Sequence, residues 1–211
     1  MSHSFTCEAI ILRVYDVGEA DRYCILFTRE HGRVAARAKA VRRLKSRMGG
    51  ALLPLSHVRV ELKELNAGYI LAGAERMQDM SHLSSMPAFG MAEEGMELLM
   101  ALLQNEEPMI TLFDASLQFL LACRAPSRAL LLAYTLRVLH ILGLLPESSN
   151  DIFFHDISDE ERSFIRNAAI SSSFVDLTLG STRRLENHCR ILLADQLSAP
   201  LKAGQVAARM G

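Results

Sequence analysis

The sequence predicts an α+β chain of two domains, with strands in residues 1–80 and helices in residues 81–211. Three observations predict this division. Up to residue 80, apolar and polar side chains alternate as they do in strands with one buried face. After Met77, apolar residues recur at the helical period. The charge also changes sign, since residues 1–80 hold 13 Lys and Arg against 9 Asp and Glu, whereas residues 81–211 hold 10 against 15.

Five strands are predicted in the first part. The alternation is clear where Arg33 and Arg37 fall on one face and Val34 and Ala36 on the other. Gly32 is expected to supply the positive φ of a hairpin turn. Five short strands in about 75 residues match the size and strand count of a small closed barrel of the OB type. The predicted strands are residues 7–14, 23–28, 33–39, 57–65 and 69–74.

The second part is predicted to be an all-helical bundle. Pro108 is expected to begin one helix, where its missing N–H costs nothing. Gly143 is expected to end the predicted helix 127–142, because glycine is common at the first position after a helix. Ser158 and Glu161 have the spacing of a capping box. The predicted helices are residues 88–104, 108–123, 127–142, 159–170 and 182–197.

The cysteines and the apolar runs exclude two classes of protein. Cys7, Cys24, Cys123 and Cys189 include no C-x-x-C pair, so a structural zinc site is not expected. Unpaired cysteines suit a reducing cytoplasm. The longest apolar runs fall far short of the ~20 residues that span a bilayer. We therefore expect a cytoplasmic protein with no metal, no cofactor and no membrane segment.

A basic segment gives the strongest functional signal. Residues 29–47 hold eight Lys and Arg opposed only by Glu30, on a strand and the following loop. Such side chains neutralise phosphates and release condensed counterions. The alternative is a basic surface that is merely solvated. The predicted DNA-binding residues are Arg33, Arg37, Lys39, Arg42, Arg43, Lys45 and Arg47.

Aromatic side chains near this segment are candidates for base stacking. OB barrels bind single strands through a charged groove with aromatic platforms. The candidates are Tyr15, Tyr23, Phe27 and Tyr69, although Tyr23 and Phe27 could equally lie in the core. No residue pattern that reads bases is visible, so binding is expected to depend only weakly on sequence.

Catalytic motifs are not found. The sequence has neither a G-x-x-x-x-G-K-[ST] loop to bind nucleotide phosphates nor a G-x-S-x-G nucleophile elbow. Asp16, Glu19 and Asp21 could form the metal site of a nuclease, but they lie in a turn without further ligands and are expected to be turn residues. The sequence therefore predicts a protein that is not an enzyme.

Four basic residues of the second part are candidates for partner binding. They could border a groove that takes an acidic, apolar peptide, or they could be ordinary surface charges. These residues are Arg124, Arg128, Arg137 and Lys202.

Four blocks follow one another in the first 47 residues, namely TCEAIILR at 6–13, GEADR at 18–22, LFTREHG at 26–32 and AKAVRRLKSR at 38–47. In this order they resemble the RecO family of DNA repair and recombination mediators. The later LLPL at 52–55 fits the continuation of these blocks, so the resemblance is tight over about the first 65 residues. Two segments of the helical part resemble the family more loosely, namely LGLLP at 142–146 and PLK at 200–202.

The resemblance implies an N-terminal OB-fold and a helical C-terminal domain. It also implies a bacterial, nucleoid-associated protein that binds single- and double-stranded DNA and anneals complementary strands. Members of the family help to load the RecA recombinase onto strands coated by single-stranded-DNA-binding protein (SSB). They work with RecR, contact the acidic tail of SSB, and do not hydrolyse nucleotides. A protein-interaction adaptor built on an OB-fold, without direct DNA binding, remains the alternative.

This sequence departs from the family pattern in two places. Many relatives carry a four-cysteine zinc module after the central helix, whereas residues 146–158 contain no cysteine here. The family's Ala-Lys-Gly is here Ala38-Lys39-Ala40, which predicts that the backbone after Lys39 does not need a conformation reserved for glycine.

Overall fold

The computed structural model divides into two compact units, which are described separately. The barrel unit is Met1–Ser81 with Leu103–Phe113, and the helical unit is His82–Leu102 with Asp114–Gly211. Lys45, Arg47, Ala67 and Lys202, together with residues 195–197 of the predicted last helix, lie outside the described residues. The residues that the structure describes are 4–43, 46, 48–66, 68–103, 106–146, 151–170 and 177–194.

The barrel unit contains a closed five-stranded barrel with the strand order β1-β2-β3-β5-β4. Neighbouring strands are antiparallel except β3 and β5, which run parallel. This architecture confirms the predicted OB-type barrel. The strands are β1 Ser4–Val17, β2 Asp21–Thr28, β3 Gly32–Ala38, β4 His57–Leu65 and β5 Gly68–Arg76.

The predicted alternation decides which side chains fill the barrel. On β3, Val34, Ala36 and Ala38 are fully buried, and the residues between them face outward. On β4 the buried residues are again every second one, from Val58 to Leu62. Period-two patterning was therefore sufficient to predict the inward face of both strands.

A bulge changes the inward face of β1 halfway along the strand. Cys7, Ala9 and Ile11 point into the barrel core, so odd-numbered residues face inward at first. The register with β2 then shifts between Ile11 and Arg13. Beyond this shift Val14 packs on the core, and Arg13 faces outward. An extra residue in one strand reverses the faces of everything after it, and the strand pattern alone did not predict this reversal.

The described residues of Leu103–Phe113, which we call the strap, pack on the barrel. The Glu106 N–H donates to the Arg33 carbonyl at 3.2 Å. The Phe113 ring lies 5.5 Å from that of Phe27, a fully buried side chain outside the barrel core. The strap belongs by sequence to the part predicted as helical, but Glu106 and Phe113 contact strands of the barrel, and Phe113 covers the apolar outer face at Phe27.

Gly32 brings the strap close to the turn between β2 and β3. Its φ of +63° confirms the predicted left-handed turn residue. A Cβ at this position would lie 2.2 Å from the Glu107 carbonyl oxygen, whereas at Gly18, with φ of +57°, it would meet nothing within 4 Å. The two glycines therefore share backbone conformation and differ in the space around them.

We expect Gly32→Ala to destabilise the barrel unit more than Gly18→Ala does. Gly18→Ala has only the left-handed conformation to disfavour it, which costs about 1 kcal/mol. Gly32→Ala must also displace the strap, which adds about 1–3 kcal/mol. Urea unfolding of both variants measures the difference. Equal destabilisation would mean that the strap does not pack tightly on the turn.

The helical unit is organised around α3, which contacts α1, α4 and α5. Residues on nearly every side of α3 are buried, as expected for a central helix. Two short 3₁₀ helices cover Ser81–Ser84 and Ile152–Phe154. The α-helices are α1 Met86–Leu102, α2 Ile110–Ala122, α3 Arg128–Ile141, α4 Asp159–Ile170 and α5 Leu179–Ala194.

Four of the predicted helix boundaries can be compared with the structure. Ser127 caps α3 by accepting from the Leu130 N–H, and Gly143 has the predicted positive φ after its end. The Ser158–Glu161 capping box of α4 is confirmed, with both reciprocal bonds present. Pro108 does not begin a helix. The chain around it belongs to the strap, and α2 begins two residues later.

None of the helices in the described ranges is long and apolar enough to cross a membrane.

Candidate nucleic-acid interface

Three outward-facing residues form a row across the first three strands. Tyr15 of β1 pairs with Tyr23 of β2, and Tyr23 pairs with Arg37 of β3. Residues directly opposite each other share a face of the sheet. All three side chains are exposed. The row therefore presents two phenol rings and a guanidinium on the outside of the barrel.

Asp21 orders the end of β3 next to this row. Its carboxylate lies 2.8 Å from the Arg37 guanidinium and accepts the Ala40 N–H at 2.7 Å. The hydrogen bond from Ala40, followed by that from Arg37, holds the pKa of Asp21 below its usual range. The carboxylate therefore stays ionised at neutral pH and positions both Arg37 and the first turn after β3.

Arg42 joins the loop after β3 to the turn between β1 and β2. Its guanidinium donates to the Gly18 carbonyl at 3.0 Å and lies 3.4 Å from Asp16. The Arg42 backbone N–H also donates to the Ala20 carbonyl at 2.9 Å. Its cation is therefore occupied in holding two loops together, and it is less available to a ligand than the sequence suggested.

Arg22 makes the second connection of this kind. Its guanidinium lies 3.1 Å from Asp16 and donates to the Leu52 carbonyl at 3.1 Å, farther along the same loop. Arg22 was not among the predicted site residues. It lies outside the basic segment, and the sequence signal that points to it is only its position in the GEADR block.

Lys39 and Arg43 are the cations of this region best placed to meet phosphates. Both side chains are exposed. Lys39 is close enough to Asp21 to contribute to its lowered pKa. Among the residues that the structure describes, neither cation makes a salt bridge. A phosphate would therefore not have to displace an existing carboxylate partner.

Arg33 lies apart from the other described residues that were predicted to bind DNA. It is four residues before Arg37 on the same strand, which is about 13 Å. Its cross-strand partner is the buried Phe27, and its carbonyl accepts a hydrogen bond from the strap. The strap also brings Glu106 to this end of β3. The structure therefore brings together Arg37, Lys39, Arg42 and Arg43, and separates Arg33 from them.

Two of the four candidate aromatic platforms are unsuitable for stacking. Phe27 is fully buried under Phe113. Tyr69 is half-buried, packs against the barrel core, and meets Phe5 edge-on at 6.0 Å. Tyr15 and Tyr23 are the two that remain exposed.

Ala40 corrects the expectation drawn from its place after Lys39. Its φ is +54°, in the left-handed region that favours glycine, although the sequence predicted no such requirement. Its N–H donates to the ionised carboxylate of Asp21 at an N···O distance of 2.7 Å, and this hydrogen bond holds the conformation. The residue therefore adopts the geometry that the family's glycine would adopt more easily.

We expect Ala40→Gly to stabilise the barrel unit by about 0.5–1 kcal/mol. Glycine removes the cost of the left-handed conformation, and the greater entropy of the unfolded chain offsets part of that gain. Ala35→Gly is the control, since Ala35 lies outward on β3 with strand geometry, where glycine should destabilise. Thermal unfolding measures both. A loss of stability in Ala40→Gly would show that the left-handed backbone conformation at Ala40 is not strained.

The described candidates for partner binding do not border one groove. Arg128 lies between Glu94 at 3.0 Å and Glu186 at 2.8 Å. Arg137 donates to the Ala169 carbonyl in the last turn of α4. Nine residues separate them on α3, so they project from opposite sides of that helix. Arg124 is exposed in the turn before α3. Their role in partner binding stays a prediction.

The acidic turn and the cysteines do not form a metal site in the described part of the chain. Asp16 and Asp21 are engaged with arginines, and no group of three His, Cys, Asp or Glu residues among the described positions could hold a metal ion. All four cysteines are buried thiols. Burial raises the pKa of Cys7 and Cys123 to about 12 and that of Cys24 to about 11.

Both parts of the chain match models of one family. The model described as recombination protein O, N terminal, matches residues 1–75, and the model described as recombination protein O, C terminal, matches residues 85–187. The first match includes every described residue of the candidate interface.

Curated bacterial relatives named DNA repair protein RecO are similar to this chain. The relative from Koribacter versatilis is 33% identical over 171 residues, which are 72% of this chain and 68% of the relative. That from Anaeromyxobacter dehalogenans strain 2CP-C is 32% identical over 65% of this chain and 56% of its own length. That from Nocardioides sp. is 54% identical over 57 residues, 27% of this chain and 23% of the relative. The chain thus spans little more than half of the Anaeromyxobacter protein.

Proposed function

The chain belongs to the RecO family of DNA repair proteins, and on that premise we propose that it is a DNA-binding recombination mediator without catalytic activity of its own. The barrel unit binds single- and double-stranded DNA. The bound strands are annealed to complementary strands, or prepared for loading of the RecA recombinase where SSB covers them.

One observation carries the proposal. Lys39 and Arg43 are exposed and without salt bridges in the described residues, at the end of the barrel where Asp21 and Arg42 order the loops. OB-folds bind oligonucleotides across strands 2 and 3 and the adjoining loops. Cations held at such a surface replace condensed counterions on the phosphates. Side chains that meet only phosphates do not read sequence, so both strand forms are bound with weak sequence selectivity.

The helical unit is proposed as the site of protein partners. The resemblance to the family suggests RecR and the acidic C-terminal tail of SSB. Arg124 is a candidate contact because it is exposed, whereas Arg128 and Arg137 have carboxylate or carbonyl partners. We place the protein at the nucleoid, in the bacterial cytoplasm, where these partners work.

Salt titration of binding to a single-stranded oligonucleotide tests the DNA-binding role. If about five phosphates are neutralised, log K should fall with log salt with a slope of roughly −3 to −4. No detectable binding at ~50 mM salt, together with tight binding of a protein partner, would overturn the proposal in favour of a protein-interaction adaptor.

Strand annealing on SSB-coated oligonucleotides tests the mediator role. We expect the chain to accelerate annealing when SSB carries its acidic tail and to lose most of this effect when the tail is deleted. Equal rates with and without the chain on both forms of SSB would contradict the mediator role. Cutting of the strands in the presence of Mg²⁺ would contradict the absence of catalysis.

A further inference from the structure

The exposed tyrosine pair is the feature of the interface that phosphate binding does not use. Tyr15 is 49% exposed and Tyr23 is 39% exposed, although they are cross-strand partners in a closed barrel. By contrast, Phe27, on the same strand as Tyr23, is covered by the ring of Phe113. The strap therefore covers one end of this outer surface and leaves the tyrosine end open.

The bulge in β1 is what exposes Tyr15. With regular alternation from Cys7, Ala9 and Ile11, position 15 would also point into the barrel core. The register shift between Ile11 and Arg13 turns Val14 inward and Tyr15 outward, opposite Tyr23. Bulges are common near functional sites, where they redirect a side chain. Two phenol rings are thus adjacent on the surface because of a specific irregularity.

Cations adjoin the tyrosine pair on the side of β3. Arg37 is the cross-strand neighbour of Tyr23, and Lys39 follows two residues later on the chain. A single strand that passes these cations with its phosphates would bring its bases onto the rings. Aromatic rings accept any base, because every base has a π-face. Bases already paired and stacked inside a duplex cannot use such a platform.

We propose that Tyr15 and Tyr23 form a stacking platform for unpaired nucleobases, which gives the interface a preference for single strands over duplex. The inference rests on the proposed DNA-binding function and adds to it the part of the nucleic acid that is recognised. The platform contributes affinity through bases, whereas Lys39 and Arg43 contribute through phosphates.

Comparison of two polymers of equal length tests the platform in the intact chain. Oligodeoxythymidylate and an abasic deoxyribose-phosphate strand carry the same phosphates, but only the first carries bases. We expect the wild-type chain to bind oligodeoxythymidylate about 100-fold more tightly, since stacking contributes on the order of tenfold for each of two bases. The chain has no Trp and four Tyr, so its tyrosine emission should fall with oligodeoxythymidylate and not with the abasic strand.

Substitution of the two rings shows which residues cause the preference for oligodeoxythymidylate over the abasic strand. Tyr15→Leu with Tyr23→Leu keeps apolar bulk in the strands and removes the flat rings, so we expect the preference to disappear while the salt dependence stays the same. Tyr15→Phe with Tyr23→Phe should restore it, because stacking needs the ring and not the hydroxyl. Phe89→Leu is the matched control, since Phe89 is 40% exposed on α1 in the helical unit.

The outcomes separate this inference from the function on which it rests. Equal binding of both polymers by the wild-type chain would overturn the platform and leave phosphate binding intact. Retention of the preference in the folded leucine variant would overturn the assignment to these two tyrosines. Absence of binding to either polymer would overturn the proposed function and the platform together.

Discussion

Replacing Lys39 and Arg43 together by alanine is expected to weaken single-strand binding about 60-fold at roughly 50 mM salt and to make the salt slope shallower by about 1.4. Each phosphate contact on a single strand adds about −0.7 to the slope, which at this salt concentration is worth roughly eightfold in affinity. Both side chains are exposed and outside the described salt-bridge network, so their removal should leave the barrel folded. Fluorescence-anisotropy titrations at several salt concentrations measure both quantities.

A matched control removes two charges elsewhere. Arg166 of α4 and Arg183 of α5 are exposed in the helical unit, so Arg166→Ala with Arg183→Ala changes the net charge equally. It should leave the slope unchanged. Arg42→Ala is a poor probe, because it would also release the contacts to Gly18 and Asp16. An unchanged slope in the Lys39 and Arg43 variant would remove these two residues from the interface.

Gly95→Ala in α1 is expected to lower the free energy of unfolding of the helical unit by about 2 kcal/mol. A Cβ at Gly95 would lie 2.3 Å from the ring of Phe119. That ring is fully buried and stacked on Tyr134 with centroids 4.1 Å apart, and the Tyr134 hydroxyl is hydrogen-bonded to Ser116 at 2.8 Å. The Phe119 ring therefore cannot move without disturbing Tyr134 and its hydrogen bond to Ser116. The added methyl group overpacks the core.

Gly90→Ala in the same helix should raise the free energy of unfolding of the helical unit instead of lowering it. A Cβ at Gly90 would meet nothing within 4 Å. Alanine should therefore stabilise α1 by about 0.5–1 kcal/mol, through its higher helix propensity and the reduced freedom of the unfolded chain. Urea unfolding followed by far-ultraviolet circular dichroism compares the two. Stabilisation by Gly95→Ala as well would show that Gly95 is not in a tight contact.

Local patterns in the sequence were enough to predict the elements and their caps. Alternation identified the inward residues of β3 and β4, because a strand places successive side chains on opposite faces. The Ser158–Glu161 box and Gly143 marked helix ends, because capping depends on residues within one turn of each other. Pro108 was two residues too early as a helix start, since α2 begins at Ile110.

The candidate interface was predictable in composition but not in arrangement. The sequence located the basic segment and included Arg37, Lys39 and Arg43 in it. It did not show that Arg42 and Arg22 hold loops through backbone carbonyls, since Gly18 and Leu52 are 24 and 30 residues from these arginines. It also grouped Arg33 with the others, because strand position alone does not reveal that the strap passes beside it.

By itself, the sequence determined that a basic part with five strands precedes a helical part, because periodicity and charge are patterns within short windows. Only the tertiary structure decided that the strands close into a barrel and which surface of the barrel is open. The bulge after Ile11 turns Tyr15 outward, and the strap covers Phe27 and the end of β3 at Arg33. Both depend on pairing between segments distant in the chain, and the free energy of such pairing is not encoded in any local pattern.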